Sequence, residues 1–288
     1  MHRFILHNDE IHEASEKLLS PGQVGLLSGW GVFTTIKVIE GVLFAFARHW
    51  ARMSRDAKLM RVTLPPDATR FEDNLLRLVE KNKAQLSTLR VNVVRNKGGI
   101  FEGPDVTRPS DVIAFTADII HWGDSVKLDY VHQARHAASP FSGTKILAWG
   151  MNLTMLEDGK ARGFDEVILL NERGEVAECT SANIFAAKDG QVWTPPLSSG
   201  CLPGVTRELL LTDVRVAGVP VIERVLTPAD LESADEVFIS STTRDLLPVS
   251  MIGNSPVKNT GHAREALQTA FTKYIDQYVA THKRQVVR

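Results

Sequence analysis

The chain reads as an α+β protein of two domains, a small α/β domain followed by a larger, strand-rich one. Two amphipathic helices lie among antiparallel strand signals in the first 120 or so residues. The composition then changes at "HWGDS", residues 121–125. Beyond it the chain is mainly short apolar strands with helices to cover them. We therefore divide it into a small domain over 1–120, a linker over 121–125 and a larger domain over 126–288. With 288 residues, 43% hydrophobic and 23% charged, each part can bury a core of its own.

In the small domain, "RFILHNDEIHEA" is a short hairpin. Strands at about Val32–Ile39 and Val42–Phe46 flank a turn at Glu40-Gly41. From Arg48 to Met60 the apolar positions Trp50, Met53, Ala57 and Met60 recur at three and four, which predicts a helix carrying Arg48, Arg52 and Arg55. Pro65-Pro66 break the chain before a second helix, "TRFEDNLLRLVEKNKAQL". "TLRVNVVRNKGG" and "SDVIAFTADII" are two more strands.

In the larger domain, "VKLDYVHQ" is a strand and "ARHAASPFSGTK" a small-residue loop of the kind that lines sites. "ILAWGMNLTMLEDGKARG" is predicted as a helix ended by Gly163, and "DEVILLNERGEVAECT" as a hairpin. "NIFAAK" and "QVWT" join through Asp189-Gly190, a two-residue hairpin signal, and Pro195-Pro196 end the second strand. "LPGVTRELLL" opens a helix whose free N–H groups at Gly204, Val205 and Thr206 suit an anion, phosphate above all. "VIERVL", the turn "TPADLESAD", the strand "EVFISSTT", "DLLPVSMI" and a helix from about His262 to His282 complete the chain.

The formal net charge of −1 leaves no electrostatic footprint for nucleic acid or an anionic membrane. Cys179 and Cys201 form no disulfide framework and match no zinc spacing, and His2, His7, His12 and His49 lack a metal-binding pattern. No signal peptide or membrane span is apparent, so a cytoplasmic protein is expected. Taken singly, Lys145 reads as a surface charge, Glu178 as a ladder-edge carboxylate and Arg52 as an exposed pair partner. "SSTT" over 240–243 reads as a capped strand end, and the "GWG" at 29–31 as a weak dinucleotide signal.

Together they say more. The run "GVFTTIKV", "HWARM", "GTK", "GFDEVILLNERGEVAECTSANIFAAKDGQVWTPP", "LPGVTR" and "ADEVFISSTTRDLLPV" resembles the fold-type IV pyridoxal-phosphate enzymes along essentially the full length. These are the branched-chain aminotransferases, the D-amino-acid aminotransferases and the 4-amino-4-deoxychorismate lyases. The resemblance implies a small α/β domain, a larger pseudo-barrel domain, a homodimer and pyridoxal 5′-phosphate as cofactor. It places Lys145 as the Schiff-base lysine and proton carrier, and Glu178 against the pyridine nitrogen. Arg52, Val205, Thr206, Ser241 and Thr242 then match the phosphate-holding set. Phe33, Thr35, Arg90, Arg95 and Thr243 fall where the substrate is held.

The resemblance also has departures. Gly150 stands where branched-chain members carry a tyrosine for the cofactor's ring oxygen, and Asp56 where the arginine motif has a serine. Ile100 replaces an arginine of the lyases, which leaves Arg90, Arg95 and Lys97 as the cations near the substrate. The expected activity is therefore amino transfer between an amino acid and a 2-oxo acid, branched-chain-like. The alternatives are a lyase releasing pyruvate and 4-aminobenzoate, a D-amino-acid or amine transaminase, and a cofactor-free binding protein on the same fold.

Overall fold

The computed structural model describes residues 1–283 apart from residues 101 and 105. The chain forms two compact units. One contains Met1–Ile120, Lys145–Trp149 and the chain from Asp276 onward; the other contains His121–Thr144 and Gly150–Ile275. The excursion of five residues around Lys145 into the first unit is not anticipated by a continuous division of the sequence.

The first unit is a six-stranded antiparallel sheet backed by helices. Its strands are β1 (Phe4–His7), β2 (Glu10–Glu13), β3 (Gly31–Ile39), β4 (Val42–Leu43), β5 (Ser87–Arg95) and β6 (Ser110–Ala117), in the order β2-β1-β6-β5-β3-β4. A short helix α1 (Val24–Ser28), which the sequence did not signal, precedes β3; α2 (Phe46–Met60) and α3 (Ala68–Lys81) follow β4. Asp67 starts α3 by accepting the N–H groups of Thr69 and Arg70, a side-chain cap worth about 1 kcal/mol.

Strand alternation gives the sheet two chemically different faces. Val32, Ile36 and Val38 on β3 and Leu89, Val91 and Val93 on β5 share one core with Met53 and Ala57 of α2 and Phe71, Leu75 and Leu78 of α3. Fully burying Leu75 and Leu78 contributes roughly 1.5–3 kcal/mol each. The intervening residues point the other way. Phe33 stands opposite Asn92 and Thr35 opposite Arg90, so these four side chains share the second face.

Beside the first residues of β3 the edge is filled by Lys145–Trp149. Phe33 N–H donates to the Lys145 carbonyl (3.0 Å), Leu147 N–H to the Gly31 carbonyl (3.0 Å), and Val32 bridges Ile146. The helix predicted from Ile146 therefore begins only at Gly150 (α4, Gly150–Ala161). The spacing of "ILAW" is compatible with either structure, and the open edge of β3 decides it by offering partners a helix would leave unpaired. Close packing enforces the arrangement, because a Cβ on Gly31 would come within 2.4 Å of both the Val93 carbonyl and the Leu147 side chain.

The second unit is built on a nine-stranded mixed sheet. It comprises β7 (Val126–Arg135), β8 (Glu166–Asn171), β9 (Val176–Cys179), β10 (Asn183–Lys188), β11 (Gln191–Thr194), β12 (Val221–Glu223), β13 (Glu236–Ser241), β14 (Asp245–Ile252) and β15 (Ser255–Pro256). The order is β12-β11-β10-β13-β14-β7-β8-β9, with β15 on β14. Val176 N–H on β9 donates to the Leu226 carbonyl just past β12, tying the two ends of the sheet together in pseudo-barrel fashion. The Asp189-Gly190 turn has φ of 51° and 76°, the primed geometry that matches strand twist. The stretch "TPADLE", read as a turn, contains the helix α6 (Pro228–Glu232), begun by a reciprocal capping box between Thr227 and Asp230. Between β11 and β12 lies α5 (Val205–Thr212), and α7 (Ala263–His282) ends the described chain. No helix among the described residues is long and apolar enough to cross a membrane.

Candidate active site

In the first unit the predicted site residues gather at the Lys145 end of β3. Lys145 Nζ lies 4.4 Å from the centroid of the Phe33 ring, and the Arg90 guanidinium lies 3.3 Å from the same centroid. Trp149 meets Phe33 edge-on, with centroids 5.9 Å apart. Arg90 donates from Nε to Asn92 Oδ1 (3.0 Å). Among the described residues it has no carboxylate partner. Burial pushes its guanidinium down to about 10, so it remains a cation at neutral pH that has given up water without gaining a counter-charge.

Arg95 does not join it. Its guanidinium stacks 3.9 Å over Trp30, and it donates to the carbonyls of Lys97 (2.7 Å) and Arg61 (3.1 Å). Five positions along a strand place the two arginines on opposite faces, a parity that a list of nearby cations ignores. Ile100 is exposed in the loop beyond β5.

Arg52 comes from α2 and donates to Thr34 Oγ1 (2.9 Å) on the core face of β3. One turn further along, Asp56, 1% exposed, accepts the Lys145 backbone N–H at Oδ2 (3.1 Å) and pairs with Arg55 at Oδ1. The residue noted only as a departure from the serine of the motif thus holds the main chain of the lysine. A buried carboxylate on a helix beside "HWAR" was the available signal; its partner, far away in sequence, was not.

In the second unit Glu178 sits on β9, 8% exposed. Oε1 accepts from Arg135 Nε (3.1 Å) at the end of β7, and Oε2 accepts the Leu202 N–H (2.9 Å). Arg135 also donates to Asn152 Oδ1 from both terminal nitrogens (3.3 Å each), and Asn152 Nδ2 donates to the Thr180 carbonyl (2.8 Å). Arg135 and Asn152 were not singled out in the sequence, where nothing marks an arginine at a strand end as a partner for a residue on another strand.

The Leu202 that donates to Glu178 also leads into α5. Asn183 Nδ2 holds its carbonyl (2.8 Å), and a Cβ on Gly204 would lie 2.1 Å from Asn183 Oδ1, so only glycine passes there. Among the described residues no side chain caps α5, which leaves the Val205 and Thr206 end of the helix as a donor set for an anion. Ser241, Thr242 and Thr243 form the turn after β13, with Ser241 Oγ and Thr243 Oγ1 3.4 Å apart. Behind the turn, Arg244 donates to Glu166 Oε2 (3.3 Å) and stacks 3.7 Å over Trp122. Glu166, 1% exposed, also accepts from Ser181 Oγ (2.6 Å) and from Thr180 Oγ1, so one carboxylate braces the exits of both β9 and β13.

Each unit therefore holds groups that fit one part of pyridoxal phosphate. The first has an amine and two arginines, and the second has a carboxylate paired with a guanidinium and a helix N-terminus with N–H groups that suit a phosphate.

Comparison with known proteins agrees. Residues 31–252 match the family model for amino-transferase class IV. The chain is 27% identical over 284 residues to the D-alanine aminotransferase of Staphylococcus aureus, covering 95% of this chain and 98% of that protein. It is 26% identical over 260 residues to the branched-chain-amino-acid aminotransferase of Escherichia coli, covering 84% and 83%. The fold is that of the solved branched-chain amino acid aminotransferase from Escherichia coli, with a TM-score of 0.85 at 24% identity over 96% of this chain and 95% of that one.

Proposed function

This chain belongs to the class IV aminotransferases, a family of pyridoxal-phosphate enzymes, and on that premise we propose that it moves an amino group between an amino acid and a 2-oxo acid bearing a second carboxylate. One observation carries the reading: the Lys145 amine and the Arg90 guanidinium share the Phe33 ring. Among the described residues Arg90 is a desolvated cation without a counter-ion, and a substrate carboxylate would supply one through paired, charge-assisted hydrogen bonds. Thr35, opposite Arg90, adds a hydroxyl on the same face.

When bound, pyridoxal phosphate supplies an aldehyde for the substrate nitrogen and a ring that accepts the electron pair left at Cα. The protein's own groups do the rest. Lys145 Nζ would hold the cofactor and then carry the proton to and from Cα, a role that suits an amine on a flexible stem. Glu178, paired with Arg135, would keep a proton on the ring nitrogen, because an opposite charge favours the protonated form of that nitrogen. Arg52 and the N–H groups of Val205 and Thr206 would hold the phosphate, with Ser241 and Thr242 as further donors, and the turn to Thr243 would take the α-carboxylate. The homodimer that the resemblance implies is supported by Leu26 and Leu27, which α1 exposes at 44% and 64%. Sedimentation of an active monomer would refute it.

The deciding experiment mixes the protein with pyridoxal phosphate and a panel of L- and D-amino acids, and follows the visible band of the cofactor. Conversion by amino donors, reversed by 2-oxoglutarate, is the expected result. Conversion by none of them, together with pyruvate release from aminodeoxychorismate, would overturn amino transfer in favour of the lyase.

A further inference from the structure

We infer that Thr34 and His49 form a one-way hydrogen-bond relay that positions Arg52 for the cofactor phosphate. The inference rests on the reading of Arg52 as a phosphate ligand. It adds two positioning residues that lie in the core of the first unit.

The relay follows from what each group can do. Arg52 lies 2.9 Å from Thr34 Oγ1, and a guanidinium can only donate, so the hydroxyl oxygen accepts there. Thr34 Oγ1 is also 2.8 Å from His49 Nδ1. An oxygen that accepts from Arg52 still has its own proton to give, and we place that proton toward Nδ1, which makes Nδ1 the unprotonated nitrogen of the ring. His49 is therefore neutral, with its proton on Nε2. Burial, and then the charges of Arg52 and Lys145, hold its pKa well below the ordinary histidine value, which favours the neutral ring that this direction requires. Donation runs in one direction, from Arg52 through Thr34 to His49.

The scaffold explains why a hydroxyl stands here. His49 and Arg52 are three positions apart on α2 and share a helix face. Thr34 occupies the core face of β3 between Val32 and Ile36, where valine would have the same shape. Packing alone does not ask for an oxygen. What the oxygen adds is a fixed anchor for one arm of the guanidinium, so that less of its ordering is charged against phosphate binding.

The test follows release of pyridoxal phosphate from the holoenzyme after dilution, together with the ³¹P resonance of the bound phosphate. Thr34→Val and His49→Leu should each release cofactor about tenfold faster and shift the resonance. Thr34→Ser and His49→Asn, which keep the hydroxyl and the acceptor, should stay near the parent. The double variant Thr34→Val/His49→Leu should be no worse than either single one, as expected for links of one chain. If Thr34→Val does not fold, the contrast between His49→Leu and His49→Asn decides alone. Parent-like release and an unshifted resonance in Thr34→Val, with fast release from Arg52→Ala, would overturn the relay and leave Arg52 as a ligand. Parent-like release from Arg52→Ala would overturn both.

Discussion

Lys145 and Glu178 are held in opposite ways. Lys145 is fixed by its main chain, its carbonyl on the Phe33 N–H at the strand edge and its N–H on the Asp56 carboxylate, while its ammonium rests against an aromatic ring. Glu178 is fixed by its side chain, with one oxygen on Arg135 and the other on the Leu202 N–H. The contrast suits the chemistry proposed for each. A residue that accepts, carries and returns a proton needs a rigid base and a mobile tip. A residue that only maintains a charge is better with no freedom at its tip.

The comparison can be broken first at the lysine. Lys145→Ala should abolish the visible cofactor band and lower turnover by about 10³-fold or more, since the proton carrier is lost outright. Turnover within tenfold of the parent would remove Lys145 from the mechanism.

At the fixed end, Glu178→Gln keeps an acceptor for the Leu202 N–H but removes the charge opposite Arg135. Turnover should fall about 10²-fold with the fold retained in circular dichroism. Parent-like rates would mean that another group protonates the ring.

Arg90 sharpens the contrast, being a cation whose position depends on a ring and an amide rather than on a counter-charge. Arg90→Met should raise KM for a dicarboxylic 2-oxo acid about 30-fold and change KM for a monocarboxylic one far less. An equal change for both would assign Arg90 to the α-carboxylate or to structure.

The smallest effect is expected from the brace. Arg135→Met leaves Glu178 with a single donor. After allowance for the partial exposure of the pair, this should cost about 1 kcal/mol of stability in chemical denaturation. No change would show that the Leu202 N–H alone suffices.

How far the sequence reached is clear from the same residues. The Asp189-Gly190 hairpin and helices α2 and α3 were legible because their signals are local: a turn dipeptide, and apolar spacing of three and four. Lys145 and Glu178 were singled out through resemblance, which compares order along the chain. The sequence could not reveal what touches them. Asp56 and Lys145, or Arg135 and Glu178, are brought together only by the fold, and no periodicity marks either pair. The extended run after Lys145 was misread as helix for the same reason, since its structure is decided by an edge far away in sequence. The α6 capping box was a different case, because Thr227-Pro228 with Asp230 is a local start signal that went unread.

The strand edge beside Gly31–Phe33 also bears on how the chain is made. Synthesis delivers all six strands of the first unit long before Lys145–Trp149 emerges. Until then the nascent sheet presents bare N–H and C=O groups at Gly31 and Phe33, next to an apolar face, and such an edge invites pairing with another chain. The segment bearing Lys145 is thus also the cover for that edge. A fragment ending at residue 120 should self-associate, and the contact that completes the lysine's setting belongs among the last to form.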